Sequence, residues 1–234
     1  MVMTMWTSEQ PMPNTGEQMK VSVLIPTRNE PLINELIEEI HKSLMKYEHE
    51  IIVIDKSKIA PNLVGAKLVR QKSNGLGPAV VEGLNFSHGD VIVTMDGDFS
   101  HDPKEIPKLL DNVNDYDIVI GSKFIEGGVN EDKPQRNFIS KSFQFISEFL
   151  LRHNVKDPMS GFSAVKREVY DVIKPKPIGY KINLGLIYKA KRYGFKVCEV
   201  PITFHKRRAG KTKTGIGEAY RTTRYILELR FGLR

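Results

Sequence analysis

Two aspartates one residue apart, Asp96 and Asp98, stand directly after the run Asp90-Val91-Ile92-Val93-Thr94-Met95 and before Phe99-Ser100-His101. The run is β-branched, apolar and too short for a core helix, so it reads as a buried strand. Carboxylates at i and i+2 on a strand share a face. Gly97 between them lets the backbone bend, so both can converge on one hard cation through oxygen ligands. In an open α/β sheet, ligands gather beyond the carboxyl ends of the strands, where this pair stands. Asp-Gly-Asp is also ordinary turn chemistry, and the triplet alone leaves both readings open.

The elements that must position this pair follow from periodicity. Val21-Ser22-Val23-Leu24-Ile25 is a strand, halted by Pro26 and followed by the polar loop Thr27-Arg28-Asn29-Glu30-Pro31. Leu32, Ile33, Leu36, Ile37, Ile40 and Leu44 recur at helical spacing, and Ile51-Ile52-Val53-Ile54 is a second strand ending at Asp55. Strand, helix and strand within ~30 residues make a βαβ unit, hence a parallel sheet with a right-handed crossover. Lys67-Leu68-Val69-Arg70 is a third short strand. Behind it Gly75-Leu76-Gly77 leads into a helix with Pro78 in its first turn. A Gly-rich loop feeding a helix can cradle phosphate, but this one fits neither the Walker pattern nor the dinucleotide fingerprint.

Downstream, 104–113 reads as a helix and Ile118-Val119-Ile120 as a strand, followed by the loop Gly121-Ser122-Lys123-Phe124 and Gly127-Gly128. The segment Arg136 to Leu151 is amphipathic, and its stripe of Phe138, Ile139, Phe143, Ile146, Phe149 and Leu150 is expected to be core. Turn residues Asp157-Pro158-Met159-Ser160-Gly161-Phe162 interrupt the pattern. Residues 182–193 read as helix, 195–204 as extended and 206–213 as a basic Gly/Thr loop. Ile216 to Leu233 forms an amphipathic helix that suits either a docked cap or a membrane-surface element.

The bulk properties exclude several classes. The chain has 234 residues, 40% hydrophobic and 27% charged, as in a soluble globular protein. No run approaches the roughly 18 apolar residues of a membrane span. Residues 1–19 lack an apolar stretch and read as a mobile tail, not a signal peptide. The body is expected over 20–213, with 214–234 a basic amphipathic helix of the same domain or of the membrane surface. A lone cysteine, Cys198, rules out an internal disulfide, favours a reducing compartment and is expected to be an inert core thiol. The net charge is +7, and residues 205–234 alone hold nine Lys/Arg against two acids. Such an end suits phosphate, anionic lipid or nucleic acid, although no aromatic interleaving supports the last.

In order and spacing these stretches resemble the family 2 glycosyltransferases of the GT-A fold, and within them the dolichyl-phosphate mannosyltransferases. The resemblance covers about residues 20–230. It rests on Pro26-Thr27-Arg28-Asn29-Glu30, Gly75-Leu76-Gly77, Asp96-Gly97-Asp98 with Ser100 and His101, Gly121-Ser122-Lys123-Phe124, Asp157 to Phe162, and Phe204 with Arg207, Gly210, Thr212 and Lys213. It implies an α/β fold with a mostly parallel, Rossmann-like central sheet flanked by helices and closed by a C-terminal amphipathic helix.

The resemblance also implies a division of labour. Pro26, Thr27, Arg28, Asn29, Glu30 and Asp55 would hold the nucleoside of a nucleotide-sugar, with Gly75, Asp96 and Lys213 contributing to the same ligand. Asp96 and Asp98 would hold Mg²⁺ or Mn²⁺ against the diphosphate, with Ser100 as a third ligand and His101 shaping the loop by hydrogen bonding. A polyprenyl phosphate is already an anion and needs no general base to attack an anomeric carbon, only cations to bring two anions together. Arg136 and Ser140, at i and i+4 on one helix face, match the acceptor-phosphate residues, and Lys123 and Arg207 flank the reaction centre. Attack opposite the leaving group implies inversion: mannose from GDP-mannose onto dolichyl phosphate, giving a β-linked lipid. The implied setting is cytoplasmic, peripheral on the cytosolic face of the plasma membrane or ER, with a membrane-anchoring partner subunit possible and no nucleic acid.

The chain departs from the family pattern at Lys56, where a second acid is common, at Lys123, where Arg is usual, and at Thr212, where Ser is usual. The first leaves GDP and UDP open as donor nucleotides. A UDP-sugar transferase to polyprenyl phosphate, and a catalytically silent nucleotide-sugar or lipid-phosphate binder, are the alternatives.

Overall fold

The structure is a computed structural model that describes residues 19–132, 134–175, 182–208 and 216–232, with the side chains of 134–140 and 216–221 left aside. Its centre is a seven-stranded sheet of β1 (Lys20–Thr27), β2 (Glu48–Asp55), β3 (Lys67–Arg70), β4 (Val91–Thr94), β5 (Ile118–Ser122), β7 (Ser163–Lys166) and β8 (Val197–Pro201), in the order β3-β2-β1-β4-β7-β5-β8. The pairs β1–β2, β2–β3, β1–β4 and β5–β8 are parallel. Only β7 runs against its neighbours, between β4 and β5. A small parallel pair, β6 (Val129–Asn130) with β9 (Thr203–Phe204), lies apart from the main sheet.

Helices cover both faces, which is why the central strands are apolar at almost every position. Val21, Val23 and Ile25 of β1 join Val53 of β2 and Val91 and Val93 of β4 on one face. There they meet Ile33, Leu36, Ile37 and Ile40 of α1 (Ile33–Ser43) and Ile106 and Leu109 of α3 (Ile106–Leu110), which a short 3₁₀ turn at Pro103–Glu105 precedes. Leu24, Ile52, Ile54 and Ile92 point the other way, as the two-residue period requires. They pack on α2 (Leu76–Leu84), α5 (Arg167–Ile173) and α6 (Ile182–Arg192). Each such side chain, fully buried, contributes roughly 1.5–3 kcal/mol.

Two expectations about the outer elements are met only in part. The apolar stripe on α4 (Pro134–Leu151) is core only in part: Leu150 packs with Leu151, Leu184 and Ile226, but Phe149 is 73% exposed and Ile146 39%, with Phe145 at 74% beside them. Helical periodicity marks an apolar face without saying what covers it. Cys198 is half-buried at the margin of the core. Burial, with Glu199 beside it, pushes its thiol up to about 11, so it stays protonated at neutral pH. The final helix, α7 (Ile216–Phe231), is docked: Tyr225 and Ile226 pack with Leu151 of α4 and Leu184 of α6. The contact with α6 is possible because residue 185 is glycine, since a Cβ there would lie 1.8 Å from the Tyr225 hydroxyl oxygen.

Candidate functional site

The carboxyl ends of β1, β2 and β4 bring Thr27, Asp55 and Asp96 to one edge of the sheet. The turn after β4 is held in a shape that an ordinary residue resists. Phe99 has φ +62°, the left-handed region, and its burial in the core compensates a strain of order 1–3 kcal/mol. Gly97 lies against β1, where a Cβ would come 2.8 Å from the Thr27 methyl. Within this turn Asp98 is buried, and its Oδ1 accepts from the Ser100 amide at 3.0 Å and from the Ser100 hydroxyl. Burial raises the Asp98 carboxyl. The Ser100 hydroxyl and amide outweigh it, helped by Arg207, and hold the group below the usual carboxylate range. Asp98 is therefore ionised at neutral pH.

Asp96 is the more open carboxylate, its side chain 34% exposed. The Asp96 amide donates to His101 Nδ1 at 3.1 Å, so the imidazole does shape the loop. Its ring stacks on Phe162, with centroids 5.0 Å apart, and meets Phe204 edge-on at 5.3 Å. Burial holds His101 below its ordinary range, against the opposite pull of Asp96 and Asp98. With its Nδ1 lone pair occupied and protonation disfavoured, it is a neutral structural imidazole.

This has a consequence for pH. A histidine depressed in the folded state takes up a proton on unfolding, so its stabilisation is complete above the unfolded value near 6.5 and is lost as pH falls from there towards the folded value. In metal-free buffer, urea unfolding between pH 7.5 and 5.5 is expected to show His101→Gln losing about 1 kcal/mol less than the parent. Equal losses in the two proteins would show that His101 titrates freely.

A second segment crosses the turn. The amide of His205 donates to Ser100 O at 2.9 Å and that of Arg208 to Asp98 O at 3.3 Å. Glu105 accepts the Thr203 amide at 3.1 Å and fixes the start of this segment. The crossing places Arg207 Nε 2.6 Å from Asp98 Oδ2, with Nη1 3.3 Å from Glu30 Oε1. Arg208 stacks over Phe99 at 4.3 Å. Arg207 thus joins the loop after β1 to the turn after β4.

Lys123, just past β5, is nearly buried. Its Nζ lies 3.0 Å from Asp157 Oδ2 and over the rings of Phe124 at 4.9 Å and Phe204 at 4.7 Å. Asp157 is held by its own backbone, since the amides of Lys156 and Asp157 donate to the Glu199 carboxylate at 2.7 and 2.8 Å.

On the other side, a cleft of about 410 Å³ opens between the loop after β1 and the segment following Asp55, lined by Thr27, Asn29, Glu30, Asp55, Ser57 and Ile59. Asp55 accepts from Thr27 Oγ1 at 3.2 Å, the Ser57 hydroxyl at 2.6 Å, the Ser57 amide at 3.1 Å and Arg70. Lys56 faces away from any diacid role and donates to the carbonyls of Gln71 and Lys72 at 3.2 and 3.0 Å.

The structure thus brings Thr27, Asn29, Glu30, Asp55, Asp96, Asp98, Ser100, Lys123 and Arg207 to one edge. Pro26 does not halt β1, which stays paired with β2 through Thr27, and it lies beside a small cavity; Arg28 is exposed in the loop that follows, and Gly75 opens α2 at φ +110°. Arg136 and Ser140 fall on α4, but their side chains, like Lys213 altogether, lie outside the described residues. The sequence reading missed Asp157 as the counter-ion of Lys123, Arg70 and Ser57 as partners of Asp55, and Asn183. Of these only Asp157 stood within a stretch that carries the family resemblance.

Asp96 and Asp98 fit a divalent metal by their donor chemistry. They are hard oxygen ligands, and Asp98 is ionised. No group of three His, Cys, Asp or Glu suited to a metal exists among the described residues. The protein would supply two carboxylates and leave the remaining positions to phosphate oxygens and water, which is how Mg²⁺ is commonly held.

The sheet order, the lone antiparallel strand and the carboxylate turn after β4 are those of the GT-A fold. Glucosyl-3-phosphoglycerate synthase from Mycobacterium tuberculosis, solved with Mg²⁺ and UDP, superposes with a TM-score of 0.72 at 21% identity over 92% of this chain and 80% of that one. The family model for glycosyl transferase family 2 matches residues 22–174, and the chain belongs to that family. A dolichol-phosphate mannosyltransferase of Pyrococcus furiosus is 38% identical over 90% of this chain, which spans 64% of that relative's length. A polyprenol monophosphomannose synthase of Mycolicibacterium smegmatis is 34% identical, over 82% of this chain and 79% of its own. An undecaprenyl-phosphate mannosyltransferase of Micrococcus luteus is 31% identical, over 92% and 98%.

Proposed function

We propose that this protein transfers mannose from GDP-mannose to a polyprenyl phosphate, of the dolichyl type, with inversion at the anomeric carbon. The observation that carries this reading is a site rich in paired charges and, among the described residues, without a poised base. His101 has its Nδ1 lone pair occupied by the Asp96 amide. Glu30 and Asp98 face Arg207, and Asp157 faces Lys123. A hydroxyl acceptor would need a base, whereas a phosphate monoester arrives ionised. The polyprenyl-phosphate and polyprenol substrates in the relatives' names agree with this.

In this mechanism the nucleoside occupies the cleft between Asn29 and Ser57, and Asp55, locked by Thr27, Ser57 and Arg70, presents a fixed carboxylate edge to it. Asp96 and Asp98 would hold Mg²⁺ or Mn²⁺, which supplies charge neutralisation on the departing diphosphate. Ser100 orients Asp98 through its amide and hydroxyl. Lys123 and Arg207, with Arg136 and Ser140 of α4, gather the acceptor phosphate. One of its oxygens forms a bond to the anomeric carbon as the bond to the diphosphate oxygen breaks, and the electron pair leaves with GDP.

The acceptor's lipid tail calls for a membrane surface. Phe145 and Phe149, one turn apart on α4, are each more than 70% exposed, and the neighbouring α7 carries Phe231 at 59% with Arg224 and Arg230. Exposed aromatics beside arginines suit an anionic interface. Among the described residues no helix is long and apolar enough to cross a membrane. From the acceptor's chemistry and the exposed aromatics beside arginines we propose that the protein works at the cytosolic surface of a membrane, with residues 20–213 as the catalytic domain and α7 docked upon it. An anchoring partner subunit is compatible with this placement.

The test is transfer of radiolabelled mannose from GDP-mannose into organic-extractable lipid with a short polyprenyl phosphate, with Mn²⁺ or Mg²⁺ and with EDTA. Metal-dependent label in the lipid phase is the expected result. Label from UDP-glucose alone would keep the chemistry and overturn the donor. Nucleotide binding without transfer from any donor would favour a silent binder.

A further inference from the structure

A cavity of about 30 Å³ lies beside the carboxylate turn, bounded by Pro26, Gly77, Asp96, Ser160, Gly161 and Asn183. It is large enough for one water-sized group. Asn183, the second residue of α6, is 3% exposed. Its Nδ2 donates to Ser160 O at 2.7 Å and to Ser163 Oγ at 3.1 Å. A backbone carbonyl can only accept, so the amide nitrogen must face Ser160 and the orientation of the side chain is fixed.

The hydrogens behind it are committed as well. Thr94 Oγ1 donates its one hydrogen to Gly161 O at 3.1 Å, so in the 3.0 Å contact between Thr94 and Ser163 the serine is the donor. Ser163 then accepts from Asn183. The chain runs one way from α6 through β7 to β4, and among the described residues it leaves Asn183 Oδ1 buried with no hydrogen-bond donor. Buried polar atoms are nearly always paired, so an orphan acceptor on a residue lining a cavity marks a place where a ligand brings the donor.

We propose that this cavity receives one hydroxyl of the donor hexose, and that Asn183 Oδ1 accepts its hydrogen. The inference rests on the nucleotide-sugar reading above and adds the residue that reads the sugar. Asn183 Oδ1 and the Asp96 carboxylate are both acceptors, which repels a phosphate and welcomes a hydroxyl. Leu76, Val80 and Met95 complete the lining, with the Thr94 and Ser160 hydroxyls already donating to the carbonyls of Gly161 and Gly121, so the space takes one hydroxyl and not a ring. In the mechanism above Asp96 stands at the diphosphate, and the hexose is bonded to that diphosphate, so a ring hydroxyl is the group within reach.

The test compares kcat/KM for the accepted donor, GDP-mannose first, with its 2-, 3-, 4- and 6-deoxy analogues. The parent protein, Asn183→Ala and the similarly sized Asn183→Leu are assayed side by side. The parent is expected to lose about 10- to 100-fold on one analogue, because a site built to bond a hydroxyl rejects the ligand lacking it. Both variants should lose a similar factor on the full donor and then treat that analogue and the full donor alike, while keeping the parent's ratios for the other three. Ratios between donors on one sample cancel any unfolded fraction. An unchanged deoxy profile in the variants, or no penalty beyond threefold in the parent, would overturn the proposal and leave the cavity to an internal water. Absence of transfer from any unmodified donor by the parent would instead sink the transferase reading, and this inference with it.

Discussion

Asp98→Asn should lower sugar transfer by about a thousandfold or more while the protein still folds. The substitution keeps the shape. Its carbonyl oxygen can go on accepting from the Ser100 amide, which now lies 3.0 Å from Asp98 Oδ1. What it removes is the charge, together with the acceptor 2.6 Å from Arg207 Nε, where an amide nitrogen would set donor against donor. Arg207 is 29% exposed and keeps Glu30 at 3.3 Å, so water and the second carboxylate absorb part of the loss. The stability cost should therefore be about 1–3 kcal/mol. The loss of rate is larger because a cation left with one carboxylate would neutralise the departing diphosphate poorly, and a thousandfold corresponds to about 4 kcal/mol of barrier. Single-turnover transfer with Mn²⁺, read beside a thermal melt, separates the two effects. Transfer at near the parent rate by a folded Asp98→Asn protein would remove the cation from the mechanism. Ser100→Ala, which takes away only one bond that orients Asp98, should cost about tenfold by the same assay.

The parts of this molecule legible in its sequence are those written locally. β1, β2 and β4 are short apolar runs rich in β-branched residues, closed by polar residues at Thr27, Asp55 and Asp96-Gly97-Asp98, and their parallel pairing follows from the helix between them. The carboxylates at their ends are adjacent in the fold because strand ends are. β7 was not legible. Ser163-Ala164-Val165-Lys166 has only two apolar residues, and it is a strand because β4 and β5 pair with it on either side. α4 failed in part for the opposite reason, since its apolar stripe is real but a period carries no information about what faces it. The site's ion pairs are non-local as well. Arg207 reaches Glu30 across 177 residues and Lys123 reaches Asp157 across 34. Both depend on where segments cross, which charge patterning along the chain does not encode. Arg70 and Ser57 show the same limit at Asp55, whose carboxylate stood out while the groups that immobilise it did not.

Asp157→Ala should be among the most destabilising single changes at this edge of the sheet. The Lys123 side chain is 13% exposed and that of Asp157 4%, with the two charges 3.0 Å apart. Water can replace neither partner well. Removing one half of a buried pair leaves the other uncompensated and typically costs 3–5 kcal/mol. Phe124 and Phe204, with their faces towards the ammonium, recover some of this, each being worth of order 1 kcal/mol at a partly desolvated site. The expected loss is about 3 kcal/mol in urea unfolding at pH 7.5. Lys123→Met should cost a similar amount by stranding the carboxylate, and the double variant Lys123→Met/Asp157→Ala should cost much less than the sum, with a coupling above 1 kcal/mol. Transfer activity distinguishes the two partners. If Asp157 acts by holding Lys123 at the acceptor phosphate, Asp157→Ala lowers activity only in proteins that still carry the lysine, and in the Lys123→Met background it changes nothing further. Additive losses of activity would mean that Asp157 meets the substrates by itself. Additive losses of stability would mean that the aromatic faces, and not the carboxylate, hold the ammonium in place.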